Sequence, residues 1–148
     1  MTWFYAEAMT SAHRMPDKIQ HLSTLLIQAG ELGKDLFGEA AASMNLPVPV
    51  ARAILLLDEP APMAHLADNL TCDRSYVTSI TDQLEELGLV TRETGADRRV
   101  KLLTLTDKGK KTRDKLSKLV NEKSLVSRKL SESERTTLER LMKRLLED

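Results

Sequence analysis

The spacing of apolar and polar positions predicts a mostly helical chain with one short hairpin near its middle. Between residues 16 and 42, apolar side chains recur every three or four positions, which predicts a long amphipathic helix with Pro16 in its first turn. The segment VARAILLLD predicts a short buried helix, because the prolines of NLPVPV and EPAP interrupt helical structure on either side of it.

Two helices separated by a tight turn are predicted next. The first opens at Pro62 or Met63 and runs through Leu70. Asp73 ends the turn and is placed to cap the second helix, since its carboxylate can accept from free amides two or three residues later. Gly88 permits the left-handed residue that ends this helix. The apolar stripe of the second helix consists of Val77, Ile80, Leu84 and Leu87.

Strands are predicted over residues 89–93 and 100–105, which are rich in leucine and β-branched residues and are joined by TGADRR. One long helix is then expected from about residue 108 to about residue 129. Its inward positions are Leu116, Leu119, Val120, Leu125 and Val126. Ser131 and Glu134 have capping-box spacing, which predicts the start of a final amphipathic helix.

These elements predict a mainly α fold with a small β-hairpin wing, a winged helix-turn-helix with helices at both ends. The winged region is expected over residues 46–106, and a helical dimerisation region over residues 1–45 and 107–148. The terminal helices are long and apolar along one side, and a second copy of the chain is the simplest surface to cover them. A homodimer would also place two recognition helices roughly 34 Å apart, the spacing that a palindromic DNA site requires.

Charge is distributed unevenly, although the 148 residues carry 22 basic and 22 acidic side chains. Residues 1–70 hold four Lys or Arg against eight Asp or Glu, whereas residues 92–113 hold eight against three. The positive excess lies on the wing and the helix after it, where it can reach phosphates.

The first turns of the second helix and the wing carry the candidate DNA contacts. The helix offers small hydrogen-bonding groups and one cation, which suit base edges and phosphates in a major groove. The wing offers arginines that suit a narrow minor groove, with an aspartate more suited to orienting an arginine than to meeting DNA. The alternatives are a plain polar helix face and a solvated turn in which an arginine pairs with that aspartate. The candidates are Arg74, Ser75, Thr78, Ser79 and Asp82 on the helix, and Asp97, Arg98, Arg99 and Lys101 on the wing.

The segment from LADNLTCDRSYVTSITDQLEELGLVTR to ETGADRRVKLLTLTDKGKK, with VARAILLLDEP before it, resembles the MarR family of transcription regulators. The most specific piece is DRR at 97–99, followed by LT-x-x-G at 105–109. The resemblance implies a dimeric winged helix-turn-helix protein on a palindromic operator. It also implies repression, and release by a small phenolic or anionic effector or by oxidation. Departures from the family pattern are Pro62, Ser79 and Gln83, where many members have Thr or basic residues.

Two other functions stay open. A thiolate at Cys72 beside Arg74 and a helix N-terminus could sense peroxide, although a small buried thiol is the commoner case. The neutral total charge would also suit a winged-helix protein-interaction module that does not bind DNA.

A single cysteine excludes an internal disulfide and fits a reducing cytoplasm. No catalytic motif or histidine ligand spacing is present, so neither an enzyme, a cofactor nor a metal is expected. No apolar run approaches the ~20 residues that span a bilayer, and no signal peptide is expected. Trp3, Phe4 and Tyr5 are expected to dock on a partner subunit or to precede a biological start at Met9 or Met15.

Overall fold

The computed structural model describes residues 17–70 and 72–147, and the chain from Asp35 onward forms one compact unit. The predicted fold class is confirmed, because the elements are mostly helical with one small antiparallel sheet. In chain order they are α1 (Lys18–Ala42), α2 (Val48–Leu55), β1 (Ala61–Pro62), α3 (Met63–Leu70), α4 (Arg74–Glu86), β2 (Val90–Thr94), β3 (Lys101–Leu105), α5 (Asp107–Lys123), α6 (Leu125–Lys129) and α7 (Glu132–Leu146).

Residues 17–34 contain the first part of α1, and every side chain there is exposed. The helix predicted from the apolar spacing is confirmed from Lys18 onward. The apolar positions Ile19, Leu22, Leu25 and Leu26 are between 45% and 71% exposed. The predicted first turn at Pro16, and the docking predicted for the first five residues, lie outside the described residues.

The core of the unit from Asp35 onward lies where α2, α3, α4 and α5 meet the sheet. Aliphatic side chains fill it, as the low aromatic content requires; the largest fully buried ones are Ile54, Leu57, Leu66, Ile80, Leu84, Leu89, Leu103 and Leu116. The helix predicted from VARAILLLD begins two residues earlier, at Val48. Pro49 is accommodated in its first turn because the backbone N–H groups there need no acceptor within the helix.

Helix α4 buries most of its predicted stripe, with one exchange of residues. Val77, Ile80 and Leu84 are buried as predicted, but Leu87 is 37% exposed because it follows the last helical residue. Thr81 takes the fourth buried position, where its Oγ1 donates to the carbonyl oxygen of Val77 at 2.8 Å. A hydroxyl satisfied within its own helix can be buried at little cost, which the apolar pattern alone did not indicate.

The sheet has the order β1-β3-β2 with all neighbours antiparallel. The predicted hairpin is confirmed, with Val90 opposite Leu105 and Thr94 opposite Lys101. Strand β1 was not predicted, because two residues are too short to show a period. It pairs Ala61 with Leu103 and so joins the wing to the start of α3.

The single helix predicted from residue 108 to residue 129 is wrong. Ser124 has an extended backbone, and its Oγ accepts from the backbone N–H of Val126 at 3.2 Å, so the chain breaks into α5 and α6. Of the predicted inward positions, Leu116 is fully buried, whereas Val126 is 42% exposed. The capping box before α7 is confirmed: Ser131 Oγ accepts from the backbone of Glu134, and Glu134 accepts from the backbone of Ser131.

Within the two described ranges, no helix is both long enough and apolar enough to cross a membrane.

Candidate nucleic-acid interface

The first turn of α4 is fixed by Asp73. Its Oδ1 accepts from the backbone N–H of Tyr76 at 2.8 Å and from the hydroxyl of Ser75 at 2.6 Å. The predicted cap is therefore confirmed. The Ser75 hydroxyl, together with the Tyr76 amide, holds the pKa of Asp73 below the ordinary value of an aspartate. The sequence suggested the cap because Asp is among the best residues at this position.

This cap predicts a pH dependence. A carboxylate whose folded-state pKa is lowered stabilises the fold above its unfolded pKa, and this contribution is lost as the pH falls through the folded value. Asn also caps helices but does not titrate. We expect the stability advantage of wild type over Asp73→Asn to be constant above about pH 5 and to shrink below about pH 4. Urea unfolding of both proteins across this range measures it, and a pH-independent difference would contradict the titrating cap.

The exposed face of α4 contains the predicted base-contacting residues. Ser75, Ser79 and Asp82 lie on the side opposite the buried stripe. Ser75 donates its hydroxyl proton to Asp73, and Thr78 donates its own to the carbonyl oxygen of Arg74 at 3.0 Å. Both hydroxyls therefore offer mainly acceptor lone pairs to a ligand. Among the described residues no internal hydrogen bond engages the Ser79 side chain, so its hydroxyl can both donate and accept.

Asp82 is held by an ion pair that sequence reasoning missed. Arg92 in β2 donates through Nη2 to Asp82, and its Nε forms an ion pair with Glu85 at 3.2 Å. One guanidinium thereby links the middle of α4 to the base of the wing. Residues ten positions apart across a helix-to-strand turn follow no periodic pattern, so the spacing gave no signal for this contact.

The wing tip is shaped by backbone hydrogen bonds. The Gly95 N–H donates to the carbonyl oxygen of Val100 at 2.9 Å and closes the loop. Asp97 Oδ1 accepts from the backbone N–H of Arg99, also at 2.9 Å. Asp97 thus orients the backbone that carries the arginines. In the part of the chain that the structure describes, the exposed guanidiniums of Arg98 and Arg99 form no ion pair.

Some of the basic excess after the wing serves the fold instead. Lys108 Nζ donates to the carbonyl oxygen of Leu87 at 2.7 Å, at the end of α4. Arg113 pairs with Asp58 at 3.0 Å and with Asp114 at 3.1 Å, and it donates to a carbonyl of the core. Lys101 is exposed at the loop end of the wing, where its Nζ donates to Thr94 Oγ1 at 3.1 Å. Local charge alone therefore overstates how much of this segment is available to an anion.

The LT-x-x-G segment has a structural role at the junction of α4, the wing and α5. Thr106 Oγ1 accepts from the Gly109 N–H at 2.9 Å and donates to the carbonyl oxygen of Gly88 at 2.7 Å. A side chain at Gly109 would place its Cβ 2.0 Å from the carbonyl oxygen of Leu89. Gly88 itself has a φ of 69°, which confirms the predicted left-handed turn.

Cys72 lies immediately before the cap of α4, half-buried and packed against the core. Its backbone N–H donates to the carbonyl oxygen of Ala67 at 3.2 Å. A role for its thiol as a peroxide sensor stays a prediction. Over residues 17–70 and 72–147, no group of three or more His, Cys, Asp or Glu side chains is arranged to hold a metal ion.

These elements are similar to those of known proteins. The model of the MarR family matches residues 54–101, which run from the end of α2 to the start of β3. The comparison with curated proteins returns no match. Many solved structures share the fold.

Three of these structures cover nearly the whole fold. A MarR-family transcriptional regulator from Rhodococcus sp. RHA1 is 21% identical, with a TM-score of 0.75 over 88% of this chain and 95% of that one. CouR from Rhodococcus jostii RHA1, bound to p-coumaroyl-CoA, is 26% identical, with a TM-score of 0.74 over 87% and 90%. The transcriptional regulator BldR from Sulfolobus solfataricus is 28% identical, with a TM-score of 0.64 over 89% and 96%.

Proposed function

We propose that this chain, whose residues 54–101 match the model of the MarR family, is a DNA-binding transcription regulator that acts as a homodimer on a palindromic operator. It represses by occupying DNA that the polymerase needs, and a small aromatic or anionic effector releases it. In this proposal residues 46–106 contact DNA, and the helical regions 1–45 and 107–148 hold the dimer together.

The observation that carries the proposal is an exposed polar helix face beside two exposed arginines on the adjacent hairpin. Ser75 and Ser79 face outward on α4, which is the second helix of the motif and so the one that enters a major groove. Arg98 and Arg99 stand on the wing without an ion-pair partner among the described residues, suited to the negative potential of a flanking minor groove. In this arrangement Asp82 positions Arg92, and Asp97 positions Arg99.

The release of DNA by an effector is proposed on two grounds, a ligand bound to a similar solved structure and the coupling between ligand binding and conformation. CouR, 26% identical, was crystallised with p-coumaroyl-CoA, an aromatic and anionic molecule. An effector bound between the dimerisation helices and the winged region would change the spacing of the two recognition helices. It can do so only by its difference in affinity for the two spacings.

The test is binding to duplex DNA from the chain's own upstream region, compared with random duplex of equal length. A mobility shift in ~100 mM salt weakens non-specific attraction, so preferential retention of the upstream duplex supports the proposal. Binding to neither duplex would favour the protein-interaction module, and equal binding to both would contradict a specific operator.

The dimer is supported by apolar surface that the single chain leaves exposed. On α7, Leu141, Leu145 and Leu146 are 44%, 66% and 78% exposed, and they share one side of the helix. The exposed leucines of α1 form a second such stripe. Surfaces of this kind on a small protein indicate an interaction site.

We expect the joint replacement Leu22→Glu and Leu25→Glu to weaken self-association at least roughly 100-fold, since burying one leucine is worth ~1.5–3 kcal/mol. Sedimentation velocity across a concentration series measures the change. Gln20→Glu adds charge to the opposite side of α1 and should leave the association unchanged. A wild-type chain that sediments as a monomer at all concentrations would contradict the dimer.

A further inference from the structure

Helix α4 is bordered by a shallow groove on each side, and each groove contains one exposed arginine. The first groove lies against α3, and it is lined by Met63, Ala64, Ala67, Arg74, Val77 and Thr78. The second lies against α2, and it is lined by Val48, Pro49, Arg52, Leu70, Tyr76 and Ile80. Sequence reasoning selected Arg74 but assigned no role to Arg52 or Tyr76, because neither belongs to the motif's polar face.

Two polar side chains of the second groove, Arg52 and Tyr76, are exposed to solvent. Arg52 is exposed, and among the described residues it takes part in no ion pair. Tyr76 is 46% exposed although most of its surface is an aromatic ring. Its backbone is fixed by the Asp73 cap, so the ring leaves the helix at a defined position. Tyr76 adjoins Ser79, three residues further on, and so lies at the edge of the outward face.

The width of the DNA major groove relates the two grooves beside α4 to the two strands of a duplex. A helix with its side chains is about 10–12 Å wide, which nearly fills a major groove about 12 Å across. A sugar-phosphate strand therefore runs along each side of a helix lying in the groove. A protein that contacts the phosphates of both strands through charged side chains needs one cation on each side of the helix. Helix α4 by itself supplies only Arg74.

We propose that Arg52 binds the phosphate strand on the α2 side of the recognition helix, opposite Arg74, and that the Tyr76 hydroxyl donates to the same strand. This proposal rests on the DNA-binding function proposed above and adds a contact to it. Two cations on different helices would fix both the depth and the tilt of α4 in the groove, a role that phosphate contacts generally have. It also explains how a recognition helix with little positive charge is held.

The experiment measures affinity for a duplex that the wild-type chain selects from a random library, between 50 and ~200 mM salt. Loss of one phosphate contact lowers the slope of log affinity against log salt by ~1. We expect Arg52→Ala to lower the slope by that amount and the affinity about tenfold at the lowest salt. Arg52→Lys should restore the slope. Tyr76→Phe should reduce the affinity a few-fold and leave the slope unchanged. Arg128→Ala, which removes an exposed charge from α6, is the matched control.

The outcomes separate the two proposals. If wild type selects no duplex, the proposed function fails and the contact fails with it. A second outcome is that wild type binds and Arg99→Ala weakens binding, but Arg52→Ala matches Arg128→Ala in slope and affinity. This outcome overturns only the proposed phosphate contact of Arg52. Circular dichroism of each variant confirms that it is folded. A duplex with an uncharged methylphosphonate in place of the contacted phosphate should weaken wild-type binding by the same factor as Arg52→Ala does. It should not weaken the binding of Arg52→Ala any further.

Discussion

Replacing Arg98 and Arg99 together with alanine is expected to weaken operator binding at least ~100-fold while leaving the fold unchanged. Each contact to a charged group contributes about 1.5–3 kcal/mol, and two are removed. The fold is spared because neither side chain packs against the core or pairs with a described residue. The loop keeps its shape through two hydrogen bonds, from the Gly95 N–H to the Val100 carbonyl oxygen and from the Arg99 backbone N–H to Asp97, and neither uses an arginine side chain.

The control for this pair is Arg140→Ala with Arg144→Ala, which removes the same charge from the exposed side of α7. It should change affinity only through the weak long-range field. Fluorescence anisotropy with labelled duplex at two salt concentrations distinguishes the variants. If both double variants bind equally well, the wing does not contact DNA and the assignment of its arginines is wrong.

The second large effect concerns stability. We expect Gly109→Ala to lower the free energy of unfolding by about 3 kcal/mol or more, because the new methyl group would lie 2.0 Å from the Leu89 carbonyl oxygen. That oxygen belongs to the backbone where α4 turns into the wing, and it already accepts from the Thr106 N–H at 3.0 Å. It cannot move away without breaking the junction. The melting temperature should fall by roughly 6–12 °C.

Gly38→Ala is the matched control, since the same substitution in α1 meets no atom within 4 Å. A glycine inside a helix costs about 1 kcal/mol relative to alanine, so this variant should be slightly more stable than wild type. Thermal unfolding of the two variants gives opposite signs if the junction is as tight as described. Equal and small shifts would show that the helix α5 can move away from the turn.

The stability result also concerns the motif by which the chain resembles the MarR family. DRR and LT-x-x-G lie close together in the sequence, yet the structure gives them different roles. The arginines of the first are exposed and form no ion pair with a described residue, whereas Thr106 and Gly109 connect three elements through their backbone and one hydroxyl. The segment from DRR to LT-x-x-G therefore contains both proposed DNA contacts and residues that hold the wing in place.

Sequence alone determined most of the helices, the hairpin and the caps at Asp73 and Ser131, because these depend on local spacing and on the chemistry of single residues. The stripe of α4, the Asp73 cap, the Gly88 turn and the capping box at Ser131 each follow from residues within four positions of one another. The candidate contacts at Ser79, Arg98 and Arg99 were also identified in this way. Their role in DNA binding stays a prediction.

Only the tertiary structure decided which charges are available and which segments meet. Arg92, Lys108 and Arg113 looked like part of one basic surface, but each bonds to a different segment, at Asp82, Leu87 and Asp58 respectively. The pairing of Ala61 with Leu103 and the placing of Arg52 beside Tyr76 are likewise long-range. The break at Ser124 overrode an apolar spacing that favoured one helix. Local patterns specify what each segment can form, whereas ion pairs, short strands and groove walls depend on which segments the core brings together.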